Sequence, residues 1–439
     1  MLKVKRLPYD GSRDKPTLLS LRPATFALGV FAIWLGACTS LSPLRSNTAT
    51  NPQNSVDIKK DYKIAFIEFG EQGSYQDSTQ LPKALDLIKN TQKPLVITYV
   101  HGWQNNAESD DVGKFESLLK RLNGAPAIRD IGFHVVGVYL GWRGKLTGVP
   151  VLKELSFWNR KATAERLASN YDCYDAIASI SEEARKDHPG EQYTVLLGHS
   201  FGGLIVERSV AHAINAEIHG HADPSHSMPA DLMIVVNPAS DSILTRQMID
   251  ALYVRHTENT RPLFVSITST GDSATGTFFP IGTGLASISK GFNKVGAPGP
   301  ANTPESERKF YTSTPGHNEM LINHVTVDRH ETATAPQGLH ALEENLEHNH
   351  AGNGFALDDP NGKLDIWQIK PIGSVDVPYW DVKVDPSIIK DHGDIWNERA
   401  EAMMAAIFRK ANPLINHNAK PRATLHRAPD FTRLQSQQR

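Results

Sequence analysis

Thr194-Val195-Leu196-Leu197-Gly198-His199-Ser200-Phe201-Gly202-Gly203 changes pattern at a single residue. A β-type apolar run ends at Gly198, and past Ser200 the apolar positions Leu204-Ile205-Val206 open a helical stretch. A strand that turns sharply into a helix forces the residue at the apex into a strained backbone conformation. The positions two before and two after must then be nearly free of side chain to avoid collision. Gly198 and Gly202 meet that demand. The turn lifts the Ser200 hydroxyl above the strand end and aims the first helical amides, beginning with that of Phe201, at any negative charge formed there. A glycine-rich turn of this kind also arises for packing alone, so its meaning depends on what surrounds it.

Upstream, Tyr62-Lys63-Ile64-Ala65-Phe66-Ile67-Glu68-Phe69 alternates as a first strand, and Leu95-Val96-Ile97-Thr98-Tyr99-Val100 reads as a buried one leading directly into His101-Gly102-Trp103. Ser109-Asp110-Asp111 caps a predicted helix with Val112, Phe115, Leu119 and Leu122 on one face and Gly124 closing it. The next strand is expected at 133–140. The apolar loop from Arg143 to about Trp158 either lines an acyl or aryl pocket or packs as structure, and a helix is expected from about Thr163 to Lys186, with Cys173 as a small core residue. Downstream, strands are expected at 231–238 and 262–269. This alternation of buried strand and helix requires a mainly parallel central sheet flanked by helices, with right-handed crossovers, hence an α/β fold.

On Gly198-His199-Ser200-Phe201-Gly202, with His101-Gly102-Trp103 at the end of an early strand, the chain resembles the serine hydrolases of the α/β-hydrolase fold over roughly residues 60 to 275 and 374 to 410. The resemblance implies that Ser200 is the nucleophile and that the N–H groups of Trp103 and Phe201 form the oxyanion hole. It also implies a triad running along the chain as nucleophile, acid, histidine. Asp272 follows the second strand beyond the nucleophile and is the expected acid, with Asp241, after the preceding strand, as runner-up. His392 lies between a final strand, expected at 375–382, and a closing helix carrying Trp396, Ala400, Met403 and Ile407, and is the expected base. His317 and His324 come in the right order too, but fall in an irregular stretch. His101 is expected to stabilise its turn and His199 to pack. The implied reaction is cleavage of a small-molecule or lipid carboxylic ester through an acyl-enzyme. Amide or thioester cleavage, acyl transfer to an alcohol, and a non-catalytic scaffold that binds a partner all remain open.

The remaining sequence sets the boundaries. Basic residues up to Arg22 precede an apolar run of about fourteen residues from Ala24 to Ala37, shorter than the roughly twenty that span a bilayer. Leu35-Gly36-Ala37-Cys38 resembles the lipobox of bacterial lipoproteins, which implies removal of 1–37, lipidation of Cys38 and a membrane tether. Thr39 lacks the aspartate associated with inner-membrane retention, so the outer membrane is the expected address. Residues 38–57 read as a flexible tether, 58–275 as the hydrolase core, 276–373 as an irregular, lid-like insertion, 374–412 as the end of the core and 413–439 as a mobile polar tail. A net charge of −2 offers no field for nucleic acid, and two cysteines make no disulfide framework. The glycine pattern lacks the Lys-Ser/Thr ending of a phosphate-binding loop. His340, Glu343, Glu344, Glu347, His348 and His350 show no recognised metal-ligand spacing, so neither metal nor cofactor is expected.

Overall fold

The computed structural model describes residues 43–144, 153–186, 190–218, 228–252, 261–280, 305–334, 341–347, 353–359, 363–373 and 377–415, with 283, 291–292, 294–295 and 361. The strands are β1 (Val56–Ile58), β2 (Lys63–Phe69), β3 (Pro94–Val100), β4 (His134–Trp142), β5 (Tyr193–His199), β6 (Leu232–Val236), β7 (Phe264–Ser269), β8 (Lys294–Val295), β9 (Glu305–Ser306), β10 (His324–Thr334), β11 (Gly354–Asp358), β12 (Lys363–Pro371) and β13 (Tyr379–Val384). The helices are α1 (Gln80–Lys89), α2 (Asp110–Gly124), α3 (Pro126–Ile131), α4 (Lys153–Ser169), α5 (Tyr171–Lys186), α6 (Phe201–Ile218), α7 (Ser242–Ala251), α8 (Glu307–Thr312), α9 (Ala341–Glu347) and α10 (Glu398–Ala411).

Apart from the short β8–β9 pair, the strands form one eleven-stranded open sheet in the order β1-β2-β4-β3-β5-β6-β7-β13-β10-β12-β11. From β2 through β13 in that order every pairing is parallel. β1 adds antiparallel at one edge, and β12 and β11 add antiparallel beyond β10 at the other. Alternation along the inner strands sorts side chains into two cores. Ile64, Phe66, Leu95, Ile97 and Tyr99 pack with apolar residues of α2, α9 and α10. Ala65, Ile67, Phe69, Val96 and Val100 pack on the opposite face with those of α1, α4, α5, α6 and α7. The molecule is therefore an α/β structure with a mostly parallel sheet and helices on both faces, as the strand-helix alternation requires.

Several expectations need correction. The helix expected from Thr163 is two helices, and the first begins at Lys153, so Phe157 and Trp158 lie on a helix rather than in a loop. Asn170 makes the break: its side-chain oxygen accepts the Asp172 N–H at 2.9 Å and so starts α5. Ser109 does occupy the cap position of α2, but its hydroxyl donates back to the Asn106 carbonyl at 3.0 Å instead of capping. The expected tether is folded from Pro43 onward. The amides of Leu44 and Arg45 donate to the Glu68 carboxylate at 3.0 and 2.7 Å, the Arg45 guanidinium lies 4.3 Å from the Phe66 ring centroid, and Val56–Ile58 joins the sheet. The polar composition that promised freedom supplies hydrogen bonds instead.

The insertion is corrected as well. Its second half extends the sheet: β10 lies parallel to β13 at His324 and Val325, and pairs along its length with β12, which pairs with β11. β10 escapes the alternation test because it is polar and because its register shifts between Asp328 and Glu331, where His330 takes a φ of 52°. The last parallel strand is Tyr379–Val384 rather than 375–382, with 374–376 outside the described residues. At the far edge, the Asn345 side chain of α9 pairs with Ala356 of β11, accepting its N–H at 2.8 Å and donating to its carbonyl at 2.6 Å. The signal segment with Cys38, the loop 145–152, the histidines His340, His348 and His350, and the tail beyond 415 lie outside the described residues. No described helix is long and apolar enough to cross a membrane.

Candidate active site

β5 ends at His199 and α6 begins at Phe201, leaving Ser200 alone at the turn with a φ of 56°, in the left-handed region that a residue bearing a side chain rarely adopts. The strain is held by close backbone packing. A Cβ on Gly202 would come within 2.0 Å of the Val100 carbonyl oxygen, and one on Gly198 within 2.8 Å of the Gly202 carbonyl oxygen. The His101-Gly102-Trp103 turn lies against the same serine, since a Cβ on Gly102 would stand 2.9 Å from the Ser200 Cβ. The two residues expected to supply oxyanion-hole amides are thus neighbours, and the Phe157 ring bridges them, 5.3 Å from the Trp103 centroid and 4.9 Å from that of Phe201.

His101 is a turn residue. The Trp142 N–H donates to its Nε2 at 3.0 Å, so the proton resides on Nδ1, which donates to the Gly102 carbonyl at 2.9 Å. Burial lowers its pKa, leaving the ring neutral.

The expected acid follows β7. Beyond Ser269 the chain turns through Gly271, where a Cβ would come within 2.2 Å of the Lys390 carbonyl oxygen, and presents Asp272 with no exposed side-chain surface. Its Oδ1 accepts the N–H groups of Ala274 and Thr275 at 2.9 and 3.1 Å, and its Oδ2 accepts the Thr275 hydroxyl. His392, in the loop between β13 and α10, places Nδ1 2.8 Å from Asp272 Oδ2 and Nε2 2.8 Å from Ser200 Oγ. The carboxylate fixes the tautomer: Nδ1–H donates to Asp272, leaving Nε2 to accept the serine proton. Burial works to raise the Asp272 pKa, but the hydrogen bond and charge of His392, with the Thr275 donors, hold it below the ordinary carboxylate value.

The rivals are occupied elsewhere. Asp241 lies 3.8 Å from Lys161 Nζ and 3.9 Å from the Arg208 guanidinium. His324 stacks on Trp380 at 4.4 Å and is pushed by burial down to about 3. His317 shares a hydrogen bond with the Thr314 hydroxyl at 3.2 Å and lies against Gly276 just past the acid, outside the Ser200–His392–Asp272 chain.

Sequence reasoning missed the side chains that hold these loops together. His199, expected only to pack, donates from Nε2 to the His392 carbonyl at 2.9 Å. Burial and then the neighbouring His392 lower its pKa to about 4, which keeps it neutral. Asn237, buried at the end of β6, reaches the same carbonyl. The one signal for it was an Asn just after a strand, a residue that tolerates positive φ. Glu207, nearly two turns into α6, accepts the Ser240 hydroxyl, the Tyr379 hydroxyl at 3.1 Å and the Thr245 hydroxyl at 3.5 Å, tying the elbow helix to α7 and β13. Burial raises its pKa to about 7.

Among the described residues no group of three or more His, Cys, Asp or Glu is gathered as a metal ion would require. Set against protein-family models, curated proteins and solved structures, the chain finds no match.

Proposed function

We propose that this chain is a serine hydrolase of the α/β-hydrolase kind that cleaves carboxylic esters through an acyl-enzyme. The observation that carries the reading is the continuous hydrogen-bonded chain from Ser200 Oγ through His392 to Asp272, at 2.8 Å on each side of the ring, built from three loops at one end of the sheet. Ser200 Oγ attacks the ester carbonyl as its proton passes to His392 Nε2. The oxyanion is met by the amides of Trp103 and Phe201, and His392 returns the proton to the departing alkoxide. Water then repeats the sequence on the acyl-enzyme, restoring the serine. Asp272 keeps the ring in its working tautomer and balances the imidazolium charge.

Leu35-Gly36-Ala37-Cys38 supports a second part of the proposal, that the mature chain begins at lipidated Cys38 and is held on the outer membrane of a bacterial envelope. Mass spectrometry of the mature amino terminus tests it, and an unmodified start elsewhere defeats it. The test of the chemistry is a fluorophosphonate probe with a panel of p-nitrophenyl esters of graded chain length. The probe labels Ser200 in the wild type, and labelling disappears in a folded Ser200→Ala. Equal labelling of the variant sinks the assignment.

A further inference from the structure

The acid and the base sit on segments 120 residues apart in the chain, yet their side chains meet at 2.8 Å, so something must set the spacing of the two loops. Asn237 lies between them. It is fully buried, takes a φ of 47°, and donates its backbone N–H to the Ile267 carbonyl of β7 at 2.7 Å. Its side-chain Oδ1 accepts the Ser269 N–H at 2.9 Å, three residues before Asp272. Its Nδ2 donates to the His392 carbonyl at 3.1 Å and to the Asp391 carbonyl at 3.3 Å. Only one orientation of the amide satisfies this arrangement, because the reverse would set an oxygen against two carbonyls and an NH2 group against an N–H.

Two further ties converge on the same loop. His199 Nε2–H is a second donor to the His392 carbonyl, and the Ser269 hydroxyl donates to the Ile389 carbonyl while accepting the Gly271 N–H at 3.0 Å. The strand bearing the nucleophile, the next strand and the strand bearing the acid all grip the loop of the base. Of these side chains, Asn237 joins the acid strand and the base residue through a single amide.

We infer that Asn237 is a positioning residue: together with His199 it clamps the His392 backbone carbonyl and locks the base loop to the acid strand, setting the spacing at which Asp272 and Ser200 meet the imidazole. The inference rests on the reading of Ser200, His392 and Asp272 as a catalytic triad. Asn237 has no exposed surface to offer a substrate, so its loss is expected to lower kcat and leave KM alone.

The test compares wild type, Asn237→Gly, Asn237→Asp and the double variant Asn237→Gly/Asp272→Asn on one p-nitrophenyl ester, with fluorophosphonate labelling rates and thermal midpoints alongside. Glycine accepts the left-handed backbone and removes both halves of the bridge. Aspartate keeps the acceptor for the Ser269 N–H and turns the donor into an oxygen facing two carbonyls. Both single variants are expected to lose roughly a hundredfold in kcat, the order that a small misplacement of reacting groups costs, with KM within about twofold. Because Asn237 acts through the Asp272–His392 contact, the glycine change costs little more once Asp272→Asn is present, whereas a merely structural role gives losses that multiply. If neither variant folds, His199→Leu takes their place, since it removes the second donor to the same carbonyl and is expected to lower kcat about tenfold at unchanged KM. An active wild type with variants that keep its kcat, raise KM alone or lose activity multiplicatively overturns the clamp and spares the triad. A wild type that neither labels nor turns over ester overturns the triad, and the clamp with it.

Discussion

The elbow around Ser200 and the two loops that bring Asp272 and His392 to it solve the same problem by different physics. At the elbow, backbone lies against backbone: Gly202 leaves no room for a methyl group beside the Val100 carbonyl, and Gly198 none beside Gly202. At the partner loops the spacing is held by side chains that hydrogen-bond across it, namely Asn237, His199 and Ser269. Contact packing is unforgiving of added volume and indifferent to chemistry. Hydrogen-bonded spacing is the reverse, tolerant of small shifts in volume and lost when a donor becomes an acceptor.

The sharpest test of that contrast lies in the partner loops. His392→Ala is expected to lower kcat by at least about a thousandfold, and Asp272→Asn by somewhat less, because members of such a chain act as a unit. Asp241→Asn, whose carboxylate faces Lys161 and Arg208, is expected to leave kcat nearly unchanged in the same steady-state assay. A crippled Asp241→Asn beside an active Asp272→Asn would show that the acid comes from the other loop.

At the elbow, Gly202→Ala must push a Cβ to 2.0 Å from a carbonyl oxygen of β3, and is expected to cost about 3 kcal/mol or more of stability together with fluorophosphonate reactivity. A thermal or urea melt checks it, and a neutral melt would remove the packing half of the comparison.

Glu207 offers a quieter probe, since it ties the elbow helix to β13 through hydroxyl donors. Its pKa is raised by burial to about 7, so the folded state holds a proton that the unfolded chain has already released. Its contribution to stability is therefore fully present below the ordinary carboxylate range and falls as pH rises through about 7. Asp272, with its lowered pKa, contributes in the opposite sense, above the ordinary range, and that contribution is lost as pH falls through the folded value. Melts of Glu207→Gln across pH 4 to 8 are expected to lack the decline toward neutral pH, and an unchanged profile would mean that Glu207 does not titrate in that window.

The smallest effect expected is at Gly113 in α2, where a Cβ would meet nothing within 4 Å, so Gly113→Ala is expected to raise stability by about 0.5–1 kcal/mol. A loss there would show that glycine matters outside close contacts as well.

This division explains what could be read from sequence. The parallel strands and the elbow were legible because their requirements are local: a run of apolar residues buried on both faces, and two glycines at fixed offsets from Ser200. Asp272 and His392 were reachable through the resemblance, which points to the loops after particular strands, and His392 stands at hydrogen-bonding distance from both Ser200 and Asp272. Asn237 and the partnership of His199 were not legible, because a donor whose acceptor lies 155 residues away leaves no periodic trace. The antiparallel extension was missed for a related reason. β10 spends its length on residues such as Asp328, Arg329 and Glu331, with a bulge that breaks the two-residue period. The ordered segment from Pro43 was missed because polar side chains read as solvated until Glu68 and Asp77 are seen to receive its amides.

An open sheet has two margins, and each offers unpaired peptide groups on which another extended chain can build. Here the margins are short: β1 has three residues and is followed by Lys59 and Lys60, and β11 has five and runs into Asp358 and Asp359. On β11 the Asn345 side chain does more, presenting to Ala356 one acceptor and one donor in the arrangement of a peptide bond, as a one-residue counterfeit of a neighbouring strand. On that edge the peptide groups of Ala356 are already partnered. Because β10, β12 and β11 lie beyond β13, the strand that leads into the His392 loop is kept off the margin, where another extended chain could pair with it.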